Sequence, residues 1–181
     1  MRIHDLRAAL AGLALALTAV FPAAAQDASE AFRGFSSASN DPIQIEADRL
    51  EVRDEEKLAI YQGNVRVRQG DTLLKTAELR IHYTGEAAGS APGSGVERIE
   101  TAGAVTVQSG NQTAKGDRAV FEMAKDLVTM TGNVVLTEGD NVVRGDKLVV
   151  DLKAKKARMV SASSSGSGRV QTIINPNQKR N

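Results

Sequence analysis

One sequence block recurs along the chain at a fixed period, and this constrains the fold more than any other feature. Segments starting at Ala47, Thr76, Gly116 and Gly145 align, with successive spacings of 29, 40 and 29. The longer spacing is the regular period plus an inserted stretch of Gly, Ala, Ser, Pro and Glu, GEAAGSAPGSG over 85–95, so a loop inserted in the second unit restores the repeat. The units open ADRLEVRD, TAELRIHY, GDRAVFEM and GDKLVVDL, and their second halves carry GNVRV at Gly63, GAVTV at Gly103 and GNVVL at Gly132. A fourth copy would fall at Ser161, where the chain turns instead into SASSSGSG and the array ends.

Aligned columns separate by chemistry. Leu50, Leu79, Ala119 and Leu148 form one, and Val52, Ile81, Phe121 and Val150 the next. Asp54, Tyr83, Met123 and Leu152 follow. Val65, Val105 and Val134, then Val67, Val107 and Leu136, then Ile45, Leu74, Ala114 and Val143 complete the set. Of these 22 positions 21 are apolar, whereas nine of the 12 positions immediately preceding the residues of the first three columns are charged. Alternation of period two on both sets gives β-strands with one dry and one wet face, because successive side chains of a strand point to opposite sides. Gly-Asn and Gly-Asp pairs between the runs supply turns, and the parity change at Gly63 predicts a bulge. The expected fold is all-β: an elongated, twisted open β-jellyroll or solenoid of antiparallel strands in two facing sheets.

Outside the array the chain reads as accessory segments. Residues 1–25 have the form of a signal peptide: Arg2 and Arg7, an apolar run from Ala8 to Phe21, then Pro22 and Ala23-Ala24-Ala25. Residues 26–41 read as a flexible leader, with Phe32 and Phe35 available to dock on a partner. The repeats occupy 42–160. A Ser/Gly linker opens 161–181, strand character resumes over 169–174, and a disordered tail is expected beyond it. The chain contains no Cys, which excludes disulfides and thiolate metal sites. With 23 Lys and Arg against 22 Asp and Glu it lacks the cationic excess of a protein that neutralises nucleic-acid phosphates.

No motif of catalysis is present, neither H-E-x-x-H nor G-x-S-x-G nor a phosphate loop, and the chain reads as no enzyme and needing no cofactor. His82 falls in a wet column and reads as a surface residue. Asp48, Asp117 and Asp146 recur in step with the repeat, not at the short period of calcium-binding β-rolls, which favours turn chemistry over metal binding. The dry columns leave two readings open. The facing sheets fill their own interior, as sandwiches do, or they splay apart and leave a groove for acyl chains. Burial contributes about 0.8 kcal/mol per methylene, so a 14-carbon chain represents roughly 10 kcal/mol.

The run DPIQIEADRLEVRDEEKLAIYQGNVRVRQGDTLLKTAELRIHY resembles the start of the OstA-like β domain, and the second GNV block with GDKLVVDLKAKKARMV resembles its continuation. The likeness covers residues 41–174 and extends, with the export signal and the closing GRV segment, to the periplasmic lipopolysaccharide-transport proteins of Gram-negative bacteria that carry this domain. It implies a twisted open jelly roll that binds lipid A of lipopolysaccharide, with a groove lined by Ile45, Leu50, Val52, Val65, Val67, Leu74, Leu79, Ile81, Tyr83, Val105, Val107, Phe121, Met123, Val134, Leu136, Val143, Leu148, Val150 and Leu152. It further implies an inner-membrane export complex as partner at the N-terminal edge, near Ile43 to Asp48. An outer-membrane translocon or the next copy would meet the last strands, Leu148 to Leu152 and Arg169 to Ile174. Head-to-tail self-association follows from the same edges, and the energy would come from an ATP-driven extractor in the inner membrane. Alternatives are a self-packed solenoid without ligand and the membrane-anchored relative of the same fold, against which the Ala-x-Ala site argues.

Overall fold

The computed structural model describes residues 27–36, 39–85, 95–161 and 168–175. The signal segment 1–25, most of the insertion 85–95, part of the linker and the end of the tail lie outside these residues. Twelve strands follow one short helix: β1 (Ile43–Glu46), β2 (Arg49–Arg53), β3 (Leu58–Gln69), β4 (Thr72–Tyr83), β5 (Val96–Ala102), β6 (Val105–Ser109), β7 (Gln112–Gly116), β8 (Arg118–Glu122), β9 (Leu127–Glu138), β10 (Asn141–Asp151), β11 (Lys156–Val160) and β12 (Gln171–Ile173). All pair antiparallel.

Four long strands, β3, β4, β9 and β10, each serve two faces. Face one runs β2, the first half of β3, the second half of β4, β5, β8, the first half of β9, the second half of β10, and β11. Face two runs β1, the other halves of β3 and β4, β6, β7, the other halves of β9 and β10, and β12. Each face therefore carries eight strand segments. This is the expected pair of facing sheets, built as one folded twelve-stranded sheet.

The fold line is made by a recurring corner. At Gly63-Asn64 and Gly132-Asn133 the register between the long strands shifts. Both glycines and both asparagines take positive φ: +78° at Gly63 and Gly132, 48° at Asn64 and 46° at Asn133. An aspartate on the neighbouring segment clasps each corner. Asn64 Nδ2 donates to Asp48 Oδ2 at 2.8 Å and Asn133 Nδ2 to Asp117 Oδ2 at 2.9 Å. The Asp48 and Asp117 amides donate to the Gly63 and Gly132 carbonyls at 3.0 Å. In the last unit Ser161 stands where the Gly-Asn pair would begin, and its hydroxyl donates to Asp146 Oδ2 at 2.8 Å. In the second unit Ala77 replaces the aspartate and lies against Gly103. The recurring aspartates are thus corner residues, as their spacing suggested.

The corners form a seam along the stack, and the hairpin turns fall on two opposite rims. Turns at 54–57, 123–126 and 152–155 edge face one; turns at 70–71, 110–111 and 139–140 edge face two. Among the described residues no strand pairing joins the two rims. The cross-section is a V with its apex at the seam.

The leader expected to be flexible is, over Asp27–Phe35, a 3₁₀ helix lying between the rims. At three residues per turn, Ser29, Phe32 and Phe35 stack on one face. All three are buried, Phe32 completely. Glu30 and Arg33 lie outside and pair at 3.0 Å. Burial of two aromatic rings is what holds the segment. A second correction concerns the C-terminal edge. Leu148 to Leu152 is not a terminal strand, because β11 covers this half of β10; the edges are β11 and β12.

A methyl group added at Gly63 or Gly132 would meet the carboxylate of the clasping Asp, whereas at Gly110 (φ +56°) it meets nothing within 4 Å. Gly63→Ala and Gly132→Ala are each expected to lower stability by about 2 kcal/mol or more, and Gly110→Ala by about 1 kcal/mol. Urea midpoints measured side by side check the order.

Candidate functional site

The candidate site is the interior of the V. Both halves of each long strand keep their aliphatics inside: in β3 and β9 the inward positions hold one parity across the Gly-Asn corner, with no parity change at Gly63, whereas in β4 and β10 they shift by one, between Thr76 and Leu79 and between Val143 and Leu148. Thirteen of the expected groove residues are buried: Val65, Val67, Leu74, Leu79, Ile81, Tyr83, Val105, Val107, Phe121, Val134, Leu136, Leu148 and Val150. Ile45, Met123, Val143 and Leu152 are partly buried and pack against them. Leu50 and Val52 differ: they are 49% and 43% exposed, because β2 is an edge strand with no neighbour over its inner face. The interior also includes residues outside the aligned columns, notably Ala59, Val128 and Met130. Val96 and Ile99 of β5 join it across a register shift at Tyr83 that breaks simple alternation.

The column Asp54, Tyr83, Met123, Leu152 lies at the face-one rim. Asp54, its one polar member, accepts a hydrogen bond from the Tyr83 hydroxyl at 3.2 Å and pairs with Lys57 at 3.2 Å. The Leu152 amide donates to the Asp126 carbonyl at 2.9 Å, tying two turns of this rim together.

The helix Asp27–Phe35 closes the mouth. Phe32 and Phe35 meet Phe121 edge to face, with centroids at 6.2 and 5.6 Å, an arrangement that aromatic quadrupoles favour. The Gly34 amide donates to Thr72 Oγ1 at 3.1 Å on the opposite rim. A side chain at Gly34 would collide with Thr72 and the Gln69 carbonyl, so only glycine lets the helix sit this close. The apolar hollow that remains is about 40 Å³ and lies between Phe35, Ile43, Ile45, Leu74, Ile81 and Phe121. Larger clefts, of about 890 and 500 Å³, flank the helix outside, with mixed linings that include Glu30, Asp151, Lys153 and Lys155.

Charges keep to the outer face. Arg80 pairs with Glu78 and Arg98 with Glu100, each at 2.7 Å. The hydrogen bond from the Gln62 amide first, and Arg80 beside it, hold the Glu78 carboxyl below its ordinary range against the opposing effect of burial. On the inner face Tyr61 lies in register between Leu50 and Leu79, and burial pushes its phenol up. Asp48, Asp117 and Asp146 each accept a side-chain hydrogen bond at the seam. Among the described residues no group of three or more His, Asp or Glu is placed to hold a metal ion.

A folded sheet enclosing a continuous aliphatic interior, with hydrogen-bonding edges at both ends, defines the class: an open β jelly roll. Residues 44–156 match the family described as LptA/(LptD N-terminal domain) LPS transport protein, and the chain belongs to that family. It is 35% identical over 176 residues to an uncharacterised protein of Rhizobium meliloti, covering 95% of this chain and 91% of the relative. It is 28% identical over 142 residues to the lipopolysaccharide export system protein LptA of Escherichia coli K12, covering 77% and 74%. The crystal structure of LptH from Pseudomonas aeruginosa, described as the LptA-homologous periplasmic component of a lipopolysaccharide transport device, superposes with a TM-score of 0.61. Identity there is 20%, covering 77% of this chain and 99% of that one. No helix among the described residues is long and apolar enough to cross a membrane.

The different exposure of two residues with the same column chemistry yields a contrast. Leu148 is 1% exposed and Val52 is 43% exposed. Leu148→Asp is expected to cost roughly 3–5 kcal/mol, since an uncompensated carboxylate enters the interior. Val52→Asp is expected to stay within about 0.5 kcal/mol of the parent. Thermal melts followed by circular dichroism distinguish the two.

Proposed function

We propose that this protein works in the periplasm as a carrier of lipopolysaccharide, holding the acyl chains of lipid A between its two faces. In this reading it bridges an inner-membrane export complex at the β1–β2 edge to an outer-membrane translocon at the β11–β12 edge, directly or through further copies joined head to tail. It catalyses no reaction; its role is solvation. An acyl chain in water forfeits about 0.8 kcal/mol per methylene, and an aliphatic lining returns that contribution.

The observation that carries the reading is the apolar interior running the length of a stack whose ends are unsealed. At one end Leu50 and Val52 lie exposed on β2, and at the other Val160 and Ile173 lie exposed on β11 and β12, at 43% and 57%. Edge strands offer unpaired amides and carbonyls to a partner strand, and these end-strand side chains give such a junction an apolar component. Family membership supports the same reading. The self-packed alternative draws on a specific fact as well, the small hollow left beside Phe35.

Purification from a lipopolysaccharide-producing host, followed by mass analysis, separates the two. A carrier retains lipid A and takes up more in competition; a closed scaffold retains none. Photo-crosslinking residues at Val52 and Phe121 are expected to label lipid, while one at Arg53, on the outer face, is not. The reverse pattern removes the interior as the binding site. Deletion of 169–181, which removes β12, is expected to lower the oligomer mass seen in light scattering.

A further inference from the structure

We infer that the helix Asp27–Phe35 is a placeholder: it occupies the acyl-chain position in the unloaded protein and swings out of the V when lipid enters. This inference rests on the carriage reading above and adds to it the place where the first acyl chain lies and the event that admits it.

Three observations converge. The helix lies at the mouth between the two rims, next to β4, β6, β7, β10 and β11, and takes part in no strand pairing. It can therefore leave without breaking the β ladder. Its inward side chains are of the same chemical kind as the site: Phe32 and Ala31 are 0% exposed and Phe35 is 6% exposed, and both rings rest on Phe121, an expected groove residue. Phe32 and Phe35 fill the space over Phe121, and the hollow left beside Phe35 is about 40 Å³, so an acyl chain resting on Phe121 takes the place of these rings. The Gly34 N–H to Thr72 contact crosses to the face-two rim, and the Glu30–Arg33 pair lies within the helix itself. Such a segment belongs to the easily opened end of a protein's stability range. Insertion through the long mouth also lets a lipid enter sideways, its polar head remaining among the charged residues of the flanking clefts.

The chain has no Cys, so one introduced thiol reports the helix alone. In the exported full-length chain, Ala31→Cys is expected to react slowly with a maleimide when unloaded, and about tenfold faster or more once purified lipid A is bound. Deacylated lipid A is expected to leave the rate unchanged. Ser29→Cys, also buried but on the face of Phe32 and Phe35, serves if Ala31→Cys does not fold. A second arm measures lipid A uptake by Phe32→Ser/Phe35→Ser, which is expected to bind at least about fivefold more tightly than the parent, because the competing occupant is weakened. Lipid A that co-elutes with the protein while the thiol stays protected overturns the placeholder and leaves carriage standing. Lipid A that binds neither the parent nor the double variant overturns carriage, and the placeholder with it.

Discussion

Everything in this molecule follows from a strand that must change sheets without losing its hydrogen bonds. A long strand lying in one flat sheet would leave its inner side chains facing solvent. Bending it at Gly63-Asn64 or Gly132-Asn133 makes the two halves face each other across an interior, and the bulge matches the unbroken alternation of β3 and β9 to the one-residue shift in β4 and β10, so aliphatics line the concave side of both. At these two corners the bend uses positive φ at two successive residues, which Gly accepts freely and Asn at modest cost. The clasping aspartate bonds to the asparagine side chain and, through its amide, to the glycine carbonyl, so the corner keeps its polar groups paired. A corner at this place in every unit, built this way in two of them and in altered form at Gly103 and Ser161, produces a seam, a V and two rims.

The same logic explains which parts were legible in the chain. Period two identifies the side of a strand, and the columns read from Leu79, Ile81, Phe121, Leu148 and Val150 do point inward and are buried. It does not say what lies over that side. Leu50 and Val52 share the chemistry of their columns and differ only in sitting on the first strand of the stack, where no neighbour follows. The last aligned column residues, Leu148 to Leu152, look like an edge because the segment after them belongs to no column. Yet β11 pairs with this stretch through the backbone, and backbone pairing imposes no column. In β5, Val96 and Ile99 are three apart, and the shift of register near Tyr83 hides their alternation.

The helix Asp27–Phe35 was the least legible element, for a physical reason. It belongs to no repeat, it is too short to hold itself together in water, and it exists where it does because the V offers its rings a place. Its local trace is the triplet Ser29, Phe32, Phe35 at the three-residue spacing of a 3₁₀ turn, with Glu30 and Arg33 on the far side. That trace identifies a one-sided helix but names no partner surface. The surface is assembled from β4, β6, β7, β8, β10 and β11, strands scattered along the chain between Thr72 and Val160.

A filled interior and a carrier function are reconciled by comparing the two occupants. Burial of the two rings holds the helix in place, and the entropy of ordering its backbone opposes this, so its net hold is much weaker than the burial alone. A single 14-carbon chain contributes roughly 10 kcal/mol, and releasing the helix returns its backbone freedom. Exchange therefore favours lipid, but by the difference between the occupants, not by the whole transfer energy of the chain. On the carriage reading proposed above, that difference matters, because a carrier must give its cargo away. An empty aliphatic groove would bind acyl chains tightly and release them slowly, and it would expose apolar surface to other copies while unloaded. A groove with its own tethered occupant hides that surface and lowers the net affinity. It also supplies, at high effective concentration, the group that refills the site as the lipid moves on.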